Sequence, residues 1–222
     1  MNSKTILSVA TTVLCALSLS VAQAQTALTL TDAPAGGLYF DNSFGTRTFT
    51  VAPGDLTMGS AINSVSIAID FEKFDGEIFG VNGGGTPYYN EIHFSLTNPA
   101  GVTTELIAPG SFDSSNMGFR GIITFDDTAA QVVNYDVTQP YAGMFRPTGA
   151  GTMTDLNTVN GAGNWSLLIQ DTVSADYLGY YSASLILNGG ANPSAVPEPG
   201  SIAFALGSLI TGAGMLRRRR KN

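Results

Sequence analysis

The stretch Ser64-Val65-Ser66-Ile67-Ala68-Ile69-Asp70-Phe71 sets Val65, Ile67, Ile69 and Phe71 against Ser64, Ser66, Ala68 and Asp70. Side chains of an extended chain point alternately to its two faces, so this period of two describes a strand with one apolar and one polar face. The same alternation places Ile92, Phe94 and Leu96 opposite His93, Ser95 and Thr97, and Trp165, Leu167 and Ile169 opposite Ser166 and Gln170. Further strands are expected at Thr46 to Val51, Thr103 to Ile107, Gly121 to Phe125, Val132 to Val137 and Tyr180 to Leu187. Turn residues separate them: Asp75-Gly76, Asn98-Pro99-Ala100-Gly101, Pro109-Gly110 and Asn160-Gly161. About eight one-sided strands need a second sheet to cover their apolar faces. The expected fold is therefore all-β, a two-sheet jelly-roll or Greek-key sandwich. No helix-length crossover joins two strands, which disfavours a parallel α/β sheet. Gly80 to Tyr89, with Gly83-Gly84-Gly85, reads as a loop between two strands; it opens no helix, so it is no phosphate cradle.

Composition sets the class. The chain has 222 residues, 44% apolar and 12% charged, too hydrophobic for a disordered protein and long enough for one packed domain. Its charge is unevenly placed. Of ten basic residues, Lys4 and Arg217 to Lys221 lie at the ends, and of 17 acids only Glu198 lies outside residues 25–196, which leaves 16 acids against four bases there, a net charge of −12. Such a surface repels phosphate backbones and attracts cations or basic partners, so nucleic acid is excluded as a partner.

The ends read as targeting segments. Lys4, the apolar run Ile6 to Val21 and the small residues Ala22 and Ala24 around Gln23 have the form of a signal peptide over residues 1–24, cut by signal peptidase before Gln25. Cys15, the single cysteine, lies within it, so the mature chain has no thiol and no disulfide. A sandwich domain is expected over residues 25–188 and a linker over 189–196. Beyond them Pro197-Glu198-Pro199 precedes an apolar run, Ile202 to Leu216, and then Arg217 to Lys221. Fifteen residues make a helix of about 22 Å, short of a hydrocarbon core of about 30 Å, and the basic run would hold its end in the cytoplasm. This tail, residues 197–222, resembles the PEP-CTERM sorting signal of Gram-negative bacteria. The resemblance implies cutting by an exosortase near Pro-Glu-Pro, a transient hold in the inner membrane, and delivery to the cell surface or extracellular matrix, with association to exopolysaccharide and biofilm.

The middle of the chain resembles the P domain of kexin- and furin-like proprotein convertases. The landmarks, in order, are Ile62 to Asp70, Leu96-Thr97-Asn98-Pro99-Ala100-Gly101, Phe125-Asp126-Asp127-Thr128-Ala129, Pro140-Tyr141-Ala142-Gly143 with Phe145-Arg146-Pro147, Leu156 to Asn157, and Gly163-Asn164-Trp165-Ser166-Leu167-Leu168-Ile169-Gln170-Asp171, closed by Gly179 to Leu187. Departures are the Gly80 to Tyr89 insertion and the absence of a preceding protease domain. In that family the P domain supports the folding and stability of its neighbour.

Reactive groups are few. His93 is the only histidine and falls on a polar strand face, which favours an exposed structural histidine over a catalytic or zinc site. Trp165 alternates with core residues and is expected as a core anchor, and Arg146 is expected to pair with a carboxylate and fix a loop. Carboxylates are abundant but show no preferred pair for glycoside hydrolysis. Asp126 and Asp127 beside one strand end, and Asp171 and Asp176 around the last loop, have the hard oxygen ligands that suit calcium, while solvated turn acids are the plain alternative. Three readings stay open: a non-enzymatic structural or adhesive surface protein, a binding or stabilising module for a secreted partner such as a protease, and a carboxylate-based hydrolase.

Overall fold

The computed structural model describes residues 27–56, 61–76, 83–112, 118–132 and 142–189. They form ten strands: β1 (Ala27–Asp32), β2 (Leu38–Phe40), β3 (Ser43–Val51), β4 (Ile62–Asp75), β5 (Ile92–Thr97), β6 (Thr103–Ile107), β7 (Phe119–Phe125), β8 (Gly143–Phe145), β9 (Gly163–Asp171) and β10 (Asp176–Gly189). One sheet runs β1-β10-β4-β7-β8, with β2 also on β10, and the other runs β3-β9-β5-β6. All pairings are antiparallel except β7 with β8. The all-β, two-sheet architecture expected from the alternation is present. Only two 3-10 turns, Tyr89–Glu91 and Met153–Leu156, interrupt the strands among the described residues, and no helix there is long and apolar enough to cross a membrane.

The alternating residues build the core. Ile67, Ile69 and Phe71 of β4 meet Phe94 and Leu96 of β5 and Leu167 and Ile169 of β9 in one cluster, each fully buried. Burial of such side chains contributes roughly 1.5–3 kcal/mol apiece, which makes this shared interior the main term holding the sheets together. Trp165 is fully buried in the same cluster, and its indole Nε1–H donates to the Gly161 carbonyl at 3.0 Å, so it is the anchor its position suggested. Phe71 and Phe94 meet across the sheets with centroids 5.1 Å apart, a tilted contact suited to their ring quadrupoles.

Several boundaries differ from expectation. Strands β1, β2 and β8 were not anticipated, β4 runs on to Asp75, and β10 starts at Asp176. Of the strand expected at Val132 to Val137, Val132 forms one parallel bridge with Arg146, and residues 133–137 lie outside the described residues. So do Ala22, Ala24, Pro197, Glu198, Pro199, the apolar run 202–216 and Pro140-Tyr141. The described part of the glycine loop does connect β4 to β5. It is fastened to Asp75, whose carbonyl accepts from Gly83 N–H at 2.7 Å and whose Oδ2 accepts from Gly85 N–H at 2.8 Å. A Cβ on Gly85 would run into the Asp75 carboxyl group, so this close approach needs glycine.

Candidate functional site

The inward series of β4 runs Val65, Ile67, Ile69, Phe71 and then Lys73. That of β9 runs Trp165, Leu167, Ile169 and then Asp171. Each apolar series thus ends in a charge, and the two charges meet between the sheets. Lys73 Nζ donates to Asp171 Oδ2 at 2.7 Å, to Glu91 Oε2 at 2.9 Å and to the Asp176 carbonyl at 2.7 Å. The side chains of Lys73 and Asp171 are 0% exposed and that of Glu91 9%, so the interaction is dry. All three ammonium protons have acceptors, which such burial requires.

Two carboxylates share one cation here, and burial dominates their titration. It pushes Asp171 up to about 6 against the pull of Lys73 and the Val173 N–H. Glu91 and Asp176 are raised by burial as well. Asp176 Oδ2 accepts from Tyr88 N–H at 2.8 Å, and its carboxyl neighbours that of Asp75, which raises it further. Glu91 sits in the 3-10 turn that leads into β5, and its carbonyl accepts from Thr172 N–H at 3.2 Å and Thr172 Oγ1 at 3.1 Å. Those two bonds lock the turn to the end of β9 beside Asp171.

Two further polar clusters use the other paired cations. Arg47 of β3 forks onto Asp32 of β1, with Nε to Oδ2 at 2.8 Å and NH2 to Oδ1 at 2.6 Å, and Tyr180 Oη–H donates to the same carboxylate at 2.8 Å. On the outer face of the first sheet Arg120 reaches Asp70 at 3.3 Å and Glu72 at 3.4 Å and lies 3.2 Å from the Tyr181 ring centroid. Glu72 also accepts from Tyr177 Oη–H at 3.0 Å. Burial, with Glu72 beside it, pushes the Tyr181 phenol up to about 12.

The four aspartates singled out for calcium are placed as follows. Asp126 Oδ1 accepts from Thr128 N–H at 2.8 Å and Thr128 Oγ1 at 2.6 Å, a local turn. Asp127 accepts from Met153 N–H at 2.9 Å and from Thr154 N–H at 2.6 Å, capping the second 3-10 turn. Asp171 and Asp176 belong to the lysine cluster. Among the described residues no three acidic or histidine side chains gather where they could hold one metal ion.

His93 is half-buried rather than exposed, with Nδ1 3.1 Å from Gln170 Oε1 and Nε2 3.4 Å from Glu105 Oε1. Arg146 was expected to pair with a carboxylate, and acids of the chain, among them Asp113 and Asp136, lie outside the described residues. Its guanidinium pairs with no carboxylate among the described residues, and its loop is held by the main chain, Arg146 N–H donating to Gln131 O at 2.8 Å.

Lys73, Glu91, Glu72 and Tyr177 were missed as a group by sequence reasoning. The available signal was the alternation itself, continued one step past the last apolar residue in β4 and β9. The place of Glu91 had no such signal, because its neighbourhood is set by the packing of a turn.

No family model and no curated protein matches the chain. Among solved structures, a crystal structure of FlhE aligns over 75% of this chain and 97% of its own at 10% identity and a TM-score of 0.35. A structure of the infectious bursal disease virus Gt strain aligns over 86% and 48% respectively, at 10% identity and a TM-score of 0.20. Both scores are too low to carry an argument about fold or function.

Proposed function

We propose that this chain is an exported, non-enzymatic structural or adhesive protein of the bacterial surface or extracellular polysaccharide matrix, sorted by an exosortase through its C-terminal tail. The observation that carries the reading is the order of Pro197-Glu198-Pro199, the apolar run Ile202 to Leu216 and the basic run Arg217 to Lys221. The described domain is in keeping with it, because three of the four cations in residues 25–196 are paired with its own carboxylates: Arg47 with Asp32, Lys73 with Glu91 and Asp171, Arg120 with Asp70 and Glu72. On this reading the sandwich is a P-domain-like jelly roll used as a compact module, exported behind residues 1–24 and held briefly at the inner membrane.

Processing is the test. Intact-mass analysis of protein released from the cell surface should find a chain ending near Pro199, and deletion of Arg217 to Lys221 should leave precursor in the membrane. A mature surface protein that still carries Leu216 and Arg220 would overturn the sorting reading.

A further inference from the structure

We propose that Lys73 and Asp171 condense, within the folded chain, into an intramolecular isopeptide bond, with Glu91 as the proton carrier. The geometry is that of a reaction poised to run. An amine and a carboxyl group are held 2.7 Å apart with both side chains at 0% exposure, and a second carboxyl group lies 2.9 Å from the same nitrogen. Cγ of Asp171 is one bond beyond Oδ2, so a small shift of Nζ brings the two reacting atoms to the separation of about 3–3.5 Å of a near-attack arrangement. The two partners sit on strands of different sheets, 98 residues apart in sequence, and folding alone brings them together.

The step balances without any other reagent. A proton passes from the Lys73 ammonium to the Asp171 carboxylate, leaving a neutral amine beside a neutral acid, a transfer that a dry site favours because it removes two buried charges. The lone pair of Nζ then attacks Cγ and forms the C–N bond. Negative charge developing on Oδ1 faces the Val173 N–H, which is 3.3 Å away. Glu91, as carboxylate, takes a proton from the nitrogen and delivers it to Oδ2; the C–Oδ2 bond breaks and one water leaves. The upward shift of Asp171 and Glu91 through burial suits these roles as acid and base. The product keeps its polar partners: Oδ1 becomes the amide oxygen, still facing Val173 N–H, and the amide N–H retains the Asp176 carbonyl. Holding the reactants in one buried site replaces the high effective concentration that amide formation in water lacks. The inference does not rest on the sorting reading, since it uses only residues within the sandwich.

Mass spectrometry of the full-length chain decides it. After folding, denaturation and digestion, a branched peptide joining the Lys73 segment to the Asp171 segment should appear, lighter than the sum of its parts by one water. Lys73→Arg keeps a cation that cannot condense and should abolish the branch, and Glu91→Gln should abolish or greatly slow it, both with the β circular dichroism spectrum retained. Asp171→Asn should still condense, now with loss of one ammonia, which a simple ion pair cannot do. Recovery of the unmodified Lys73 and Asp171 peptides from folded, aged wild-type protein would overturn the proposal, as would a water loss mapped to any other residues. The wild-type measurement stands even if a variant fails to fold.

Discussion

Replacing Asp32 by alanine should cost about 2–4 kcal/mol of stability at neutral pH. The carboxylate joins the edge strand of one sheet to the edge strand of the other, and it serves three donors at once: two from Arg47 and one from Tyr180. Charge-assisted bonds of this kind contribute roughly 1.5–3 kcal/mol, and truncation also strands the fully buried Tyr180 hydroxyl at a cost of roughly 1–3 kcal/mol. The side chains of Arg47 and Asp32 are 31% and 16% exposed, so solvent screening holds the sum below the simple total. In a domain of this size the loss corresponds to a fall in Tm of about 5–15 °C. Its pH dependence has a definite sign. Hydrogen bonding from Arg47, against the opposing effect of burial, holds the Asp32 carboxyl below its usual 3.8 in the folded chain. Its contribution is therefore present above about pH 4 and disappears as pH falls through the lowered value. Urea denaturation of wild type and Asp32→Ala should differ at pH 7, and the difference should shrink as pH falls below 3.8. Tyr180→Phe should lose about 1 kcal/mol, and a double-mutant cycle between Asp32 and Arg47 should show coupling near or above 1 kcal/mol. A pH 7 difference under about 0.5 kcal/mol, or one that persists undiminished in acid, would refute the assignment of this carboxylate as the clasp between the edges.

The lysine cluster has the opposite pH sign. Where Lys73 and Asp171 remain an ion pair, as in Glu91→Gln, burial still holds the folded Asp171 carboxyl above its unfolded value of 3.8, so its contribution is full below pH 3.8 and is lost as pH rises through the raised folded value. Guanidinium denaturation of that variant should show stability falling as pH rises above about 4, and a flat profile would remove the premise. Calcium titrated at fixed ionic strength should produce no saturating rise in Tm, because Asp127 and Asp171 already serve protein donors. A rise that saturates in the micromolar range and vanishes in Asp126→Asn or Asp171→Asn would instead establish a cation site.

The fold was legible where one strand face is purely apolar. Val65 to Phe71, Ile92 to Leu96 and Trp165 to Ile169 all alternate as read, because both sheets bury those faces against each other. Strands β2 and β8 are three residues each, too short to display a period, and they exist through pairing with β10 and β7. Strand β10 carries a register shift between Tyr180 and Ser182, which breaks its alternation at the residue where an unbroken pattern would be sought. The cluster around Lys73 was hidden by a habit of reading charge as surface. A lysine one step past Phe71 looks like the end of a strand, and an aspartate one step past Ile169 looks like a loop acid; both are core positions. Sequence spacing could not have revealed that they face each other, because their approach follows from the stacking of two sheets.

The placement of β10 has a mechanical consequence. Ala27 at the start of β1 lies opposite Asn188 near the end of β10, so the described domain begins and finishes at one pole. A pull on residue 189 away from that pole loads β10 along its own axis, between β1 on one side and the whole length of β4 on the other. The ladder bonds lie across the strands, so such a load shears many of them together instead of peeling them one after another. A module tethered through its C-terminal end would resist flow at its strongest direction, and the same module pulled sideways through β8, a three-residue edge strand, would open from that edge first.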